Sequence, residues 1–198
     1  MNKPPALEAL TPPRRNGCEK LHRGREALSL TVSDFWQWSM SDLVSNLARG
    51  RFAEFIVAHA LGINVKVGVR NEWDPVDLTT SDGIKVEVKS SAYLQSWHQK
   101  QRSTVAWRLT PTRAWNSATG EYATQSRLQA DVYVLALLAH EEKESLDPLD
   151  LDQWCFFVLP RHVAAAQDRT LTFAAVEKLV GPPVTFEELA SKVQQVRP

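Results

Sequence analysis

Two short runs restrict the fold more than any other part of the chain. They are ADVYVLALLAH, residues 130–140, and WCFFVLP, residues 154–160. A strand with one face in water alternates apolar and polar residues, because successive side chains leave on opposite faces. Neither run alternates. Nearly continuous apolar strands suit the centre of a sheet that is covered on both faces. A chain of 198 residues with 43% hydrophobic content can fill one core of that kind.

The flanking segments supply the covers. Ser33 or Asp34 offers a helix N-cap, since a short side-chain oxygen can accept from free backbone N–H groups there. A helical region follows over residues 35–62, with a break near Ser41 and a stop at Gly62. INVKVGVR, residues 63–70, reads as a strand, and two strands flank the turn TSDG at 80–83. TVAWRLT, residues 104–110, places Val105, Trp107 and Leu109 on one face. RHVAAAQ, FAAVEKLV and TFEELASKVQQV fit helices near the C-terminus. This order predicts an α/β fold, a mixed central β-sheet flanked by helices, as a single domain over residues 31–198. Residues 1–30 carry Pro4, Pro5, Pro12 and Pro13 among scattered basic residues, and read as a mobile or loosely packed arm.

No run of about 18 apolar residues is present, so no membrane span is expected. The first residues lack the apolar centre of a signal peptide. Cys18 and Cys155 do not make a disulfide framework, and Cys155 reads as a packed core thiol. A reduced, cytoplasmic setting is expected. Net charge is zero but unevenly spread: 16 basic against 11 acidic residues through Arg113, and 7 against 12 beyond. The basic part can attract phosphate. The acidic run at 140–152 reads as a solvated loop.

The most informative stretch is EWDPVDLTTSDGIKVEVKSS, residues 72–91. In IKVEVK, alternation puts Ile84, Val86 and Val88 on one face and Lys85, Glu87 and Lys89 on the other. Val76 and Leu78 read as the apolar face of the preceding strand and Asp77 as its polar face. Apolar residues must meet across the pair, which leaves two registers. One sets Asp77 opposite Glu87, with a loop of Ser81, Asp82 and Gly83. The other sets Asp77 opposite Lys85. Either brings Asp77 and Glu87 within roughly 5 to 8 Å on one face. Two close carboxylates should not both ionise without compensation. A divalent cation such as Mg²⁺ supplies it, with carboxylate, carbonyl and water ligands. The Val88 carbonyl is a further candidate ligand, and Lys89 stands beside it. An ordinary half-exposed hairpin with Glu87 paired to Lys85 or Lys89 fits the same residues.

Glu54 is the second feature. It lies in NLARGRFAEFIVAHALG, a helix apolar nearly all round, where a free carboxylate is out of place. It can pair with Arg51 or Arg49, or project toward the hairpin. A helical Glu54, then Asp77, then Glu87-Val88-Lys89, resembles the PD-(D/E)XK nuclease superfamily over about residues 45–110. Pro75 stands two residues before Asp77 rather than next to it. The resemblance implies a restriction-endonuclease-like αβββαβ core and Mg²⁺-dependent (or Mn²⁺-dependent) hydrolysis of phosphodiester bonds. DNA is the expected nucleic acid, in defence or DNA processing, with a homodimer or partner protein compatible. It implies Asp77, Glu87 and the Val88 carbonyl as metal ligands, Lys89 assisting the water, and Glu54 supporting the metal shell. Arg51, Ser91 and Gln95 become candidate nucleic-acid contacts.

Other chemistries find less support. His22, His59, His98, His140 and His162 lack metal-ligand spacing. No phosphate-binding glycine loop is present, and Ser90 and Ser91 have no apparent triad partners. Trp36, Trp38, Trp107 and Trp154 read as core, and Trp73 and Trp97 as rim residues beside the site. Two other classes stay open: a nucleic-acid-binding or complex-assembly module with little cleavage, and a structural protein with an ordinary charged hairpin.

Overall fold

A computed structural model describes Leu7 and residues 10–197. Pro4 and Pro5 of the expected arm lie outside the described residues. Strands β1 (Lys20–Arg23) and β2 (Glu26–Thr31) form an antiparallel hairpin, followed by helices α1 (Val32–Met40) and α2 (Asn46–Ala60). Next come β3 (Leu78–Thr79), β4 (Lys85–Ala92) and β5 (Ala106–Arg108), then the small pair β6 (Trp115–Asn116) and β7 (Glu121–Tyr122). The chain ends with β8 (Val132–Leu138), β9 (Trp154–Pro160), α3 (Arg161–Ala165), β10 (Thr170–Thr172), α4 (Phe173–Val180) and α5 (Phe186–Gln195).

The central sheet has the order β3-β4-β8-β9. It is mixed: β4 and β8 are parallel, while the two outer pairs are antiparallel. The two apolar runs are its β8 and β9, and every residue of β8 is buried. Val132, Val134, Ala136 and Leu138 join the core that includes Ala53, Ile56 and Val57 of α2 and Leu189 of α5. Tyr133, Leu135 and Leu137 join the opposite core with Trp107, Leu171 and Val176. One strand thus anchors both layers, which is why its sequence cannot alternate.

Helix α2 begins after the break at 41–45, and Gly62 follows it with φ of 71°, as expected of a helix stop. The cap of α1 is Thr31 rather than Ser33 or Asp34. Its hydroxyl accepts the Asp34 N–H while Asp34 accepts the Thr31 N–H, a capping box. None of the residues of α1 is buried, and Trp36 and Trp38 are 42% and 84% exposed. The expectation that they are core is corrected: α1 packs against β2, and none of its residues enters either core. Trp107 and Trp154 are core, with indole N–H groups donating to the Ala136 and Pro148 carbonyls.

Three further expectations change. INVKVGVR is not a strand. Asn64 Oδ1 accepts the Lys66 N–H at 3.1 Å, and Arg14 donates to the carbonyls of Val65 and Gly68, so side chains serve backbone groups that a sheet would need. TVAWRLT yields only the short β5, which pairs with β10 outside the central sheet. No helix lies between β5 and β8, where Pro111, Gly120 and a polar composition break any helical period. The element order therefore departs from the expected αβββαβ core at its third strand and following helix. Within the supposed arm, residues 14–31 are fastened rather than loose. Besides the Arg14 bonds, the Val32 and Ser33 N–H groups donate to the Glu19 and Gly17 carbonyls.

Because β8 serves both cores, Leu135→Ala is expected to destabilise the fold by roughly 2–5 kcal/mol. Gly83 has φ of 87°, so Gly83→Ala is expected to cost about 1 kcal/mol. Urea unfolding midpoints measured against wild type check both, with Leu135→Ala the larger loss.

Candidate active site

The hairpin adopts the first of the two registers. Leu78 pairs with Val86 and Thr79 with Lys85, which continues to Asp77 beside Glu87. Thr80 and Ile84 close the loop, with the Thr80 N–H donating to the Ile84 carbonyl at 3.0 Å and Gly83 supplying the positive φ.

Asp77 itself is not on a regular strand. Val76 packs in one core and Leu78 against the other, so the chain bends between them and the expected shared apolar face is corrected. Pro75, which has no N–H to offer a ladder, precedes the bend. Asp77 Oδ2 accepts the Val88 N–H at 2.9 Å. The carboxylate therefore sits at the sheet edge, where a ladder carbonyl would otherwise be. In a strand, a residue's N–H and C=O leave on the same side, and neighbours alternate. The Lys85 carbonyl, three residues earlier, accepts from Asp131 on the β8 side. The Val88 carbonyl thus leaves toward Asp77, on the edge that the two-residue β3 does not reach.

Glu87 and Lys89 lie on the face opposite Val86 and Val88, and form an ion pair with each other. Glu54 comes from α2 and reaches the same edge. Arg70 binds it there: its Nε bonds Glu54, its Nη2 donates to Asp77 Oδ1 at 3.0 Å, and its Nη1 lies 3.2 Å from Glu72. Arg51 adds a bidentate pair with Glu72 at 2.6 and 2.7 Å and approaches Glu54 at 3.4 Å. Arg70 thus links the carboxylates of α2 and the bend before β3, while Glu87 of β4 pairs with Lys89 of its own strand. Burial pushes the Glu54 carboxyl up, opposed by Arg70 and reinforced by Asp77. Burial likewise pushes Glu87 up, with Asp77 adding to it and Lys89 opposing.

The donor set consists of hard oxygens, which suit Mg²⁺ or Mn²⁺. Among the described residues, no three His, Cys, Asp or Glu side chains converge as a ready metal cage. Glu54 and Asp77 are paired with Arg70, and Glu87 with Lys89.

The other expected contacts take different places. Ser91 and Gln95 are buried. The Gln95 amide bonds Arg49 at 3.3 Å, the Ala92 carbonyl and Ser103, so it fastens the segment after β4 to α2. Trp73 stands beside Trp115, with ring centres 6.0 Å apart, as part of an exposed rim. Cys155 is half-buried and its thiol is pushed up to about 11 by burial. Sequence reasoning missed Arg70 because it was the last residue of an apparent strand. The expected Arg49–Glu54 pairing is corrected: Arg49 is 4% exposed and donates to Val44, Asn46 and Gln95, while Glu54 pairs with Arg51 and Arg70. A basic residue seven positions before Asp77 was the available signal for Arg70.

No family model, curated protein or solved structure gives a significant match to this chain. Among the described residues, no helix is long and apolar enough to cross a membrane.

A carboxyl that holds its proton more tightly when folded loses fold stability as pH rises from its unfolded value through the raised one. Ionised Glu87 therefore opposes folding at neutral and higher pH. Glu87→Gln is expected to raise the melting temperature at pH 8. The gap should close as pH falls to the ordinary value of 4.5. Thermal unfolding of both proteins from pH 4.5 to 8 checks it, and a variant less stable at pH 8 would contradict it.

Proposed function

We propose that the protein is a metal-dependent nuclease of the PD-(D/E)XK type, hydrolysing phosphodiester bonds in DNA. One observation carries the reading. Asp77 shares Arg70 with Glu54 of α2 and stands beside Glu87 by register, and burial pushes the Glu54 and Glu87 carboxyls up, with Asp77 adding to both. Folding alone gains little from such an arrangement, and perturbed titratable groups in a cleft favour a functional origin.

In this reading Asp77, Glu87 and the Val88 carbonyl hold Mg²⁺ or Mn²⁺, and Glu54 supports the shell. When bound, the ion supplies Lewis-acid stabilisation of the phosphate and a more acidic bound water. Lys89, tethered by Glu87, orients the attacking water and neutralises charge developing on the phosphate oxygens. Arg51 and Arg70 stand by the same edge as phosphate contacts once drawn from their carboxylates. The αβββαβ core remains part of this proposal at the level of β3, β4 and the preceding α2.

Purified protein with Mg²⁺ is expected to cleave DNA. Asp77→Ala and Lys89→Ala should each lower the rate at least about 100-fold. Metal-dependent cleavage surviving both changes would contradict the site.

The binding-module reading draws on Arg70. Glu54 and Asp77 already share a cation from the chain, so the edge is partly neutralised from within. Tight, metal-independent DNA binding, unaltered by Asp77→Ala and without cleavage, would favour that reading.

A further inference from the structure

A cleft of about 740 Å³ opens directly onto Glu54 and Asp77. Its walls come from the segment before β1, from α1 and α2, and from the loop at 63–70. Trp36, Phe55 and Val69 give it an apolar interior, and Arg14, Arg15, Arg51 and Arg70 line it as well. Against the two carboxylates, the lining carries a net positive charge of two. Arg15 has no ion-pair partner among the described residues.

The wall is built rather than incidental. Gly17 approaches Trp36 so closely that an added Cβ would lie 3.1 Å from the ring, and its φ of 95° disfavours any other residue. Arg14 fixes the same segment to the Val65 and Gly68 carbonyls at 2.9 and 2.8 Å. These contacts hold an indole at the cleft while leaving it 42% exposed.

We propose that this cleft takes an unpaired nucleotide next to the cleaved phosphate, so the substrate is single-stranded DNA or a strand end with unpaired bases. The inference rests on the nuclease reading and names its substrate class. A duplex presents phosphates outward and keeps its bases stacked, so it would leave the apolar walls unfilled. An unpaired base offers a flat apolar face for Trp36 and Phe55, and its phosphates offer charge for the arginines. The volume lies within the range that single small ligands fill. Trp36 and Phe55 line the same cleft as Glu54 and Asp77, which places base binding beside the acidic edge.

The test is fluorescence anisotropy of the full chain in EDTA, with a labelled single-stranded 12-mer and the same sequence as a blunt duplex. The single strand should bind at least tenfold tighter. Trp36→Ala and Phe55→Ala should each weaken the single strand about tenfold and leave duplex binding unchanged. Arg15→Ala should weaken the single strand and flatten its salt dependence. Circular dichroism checks that each variant is folded. If Trp36→Ala is not, the half-exposed Phe55→Ala carries the test. Equal binding of duplex and single strand, or aromatic variants that bind like wild type, would overturn the inference. A parallel arm with Mg²⁺ separates the two claims. Single-strand preference without cleavage removes the enzyme and keeps the cleft. Duplex cleavage without preference keeps the enzyme and overturns the cleft.

Discussion

The Asp77 carboxylate accepts the Val88 N–H at the edge of the central sheet. That single bond fixes much of the site. It satisfies a strand donor that β3 is too short to reach, so the ladder stops without leaving a bare N–H. It brings a charged group into the line of the sheet and leaves the Val88 carbonyl facing the same edge. Glu87 then stands next to Asp77 by register alone. The parallel pairing of β4 with the fully buried β8 makes that register rigid, because a slip by one residue would turn Val86 and Val88 out of their core.

Holding Asp77, Glu87 and Glu54 together requires positive charge. Two like charges at about 5 Å repel by roughly 3 kcal/mol at the effective dielectric near a protein surface. Arg70 answers this for Glu54 and Asp77, Lys89 for Glu87, and Arg51 shares in both Glu54 and Glu72. The cations are contributed by the chain itself, and they occupy the carboxylate oxygens that a metal would use. In the proposed nuclease, binding an ion and releasing Arg70 toward a phosphate would be two sides of one exchange. Burial opposes ionisation of Glu54 and Glu87, so keeping them charged costs stability.

Local pattern carried the sheet and the hairpin. The runs at 132–138 and 154–160 read as central strands, and the apolar positions of β4 narrowed the hairpin to two registers, of which the structure adopts the one with Gly83 in its loop. Glu54 was legible as a misfit in an apolar helix. What stayed hidden depends on contacts distant in sequence. Arg70 looked like the end of a strand because Val65, Val67 and Val69 alternate, yet Arg14, 51 residues before Val65, takes the carbonyls of that segment. Gln95 looked free for ligand, yet Arg49, 46 residues away, holds it inside. Trp36 and Trp38 looked like core because tryptophan usually is, and only the placement of α1 beside β1–β2 leaves them in solvent. The bend at Asp77 stayed hidden because Val76 and Leu78 alternate with it as a strand would, though they pack into different cores.

The most direct measurement is a titration of Mn²⁺ into the full chain, with free ion followed by electron paramagnetic resonance. Wild type should bind Mn²⁺ at the acidic edge, with the binding abolished in Asp77→Asn and weakened in Glu87→Gln. Equal binding by wild type and Asp77→Asn, or no binding by wild type, would contradict the assignment of this edge as a metal centre.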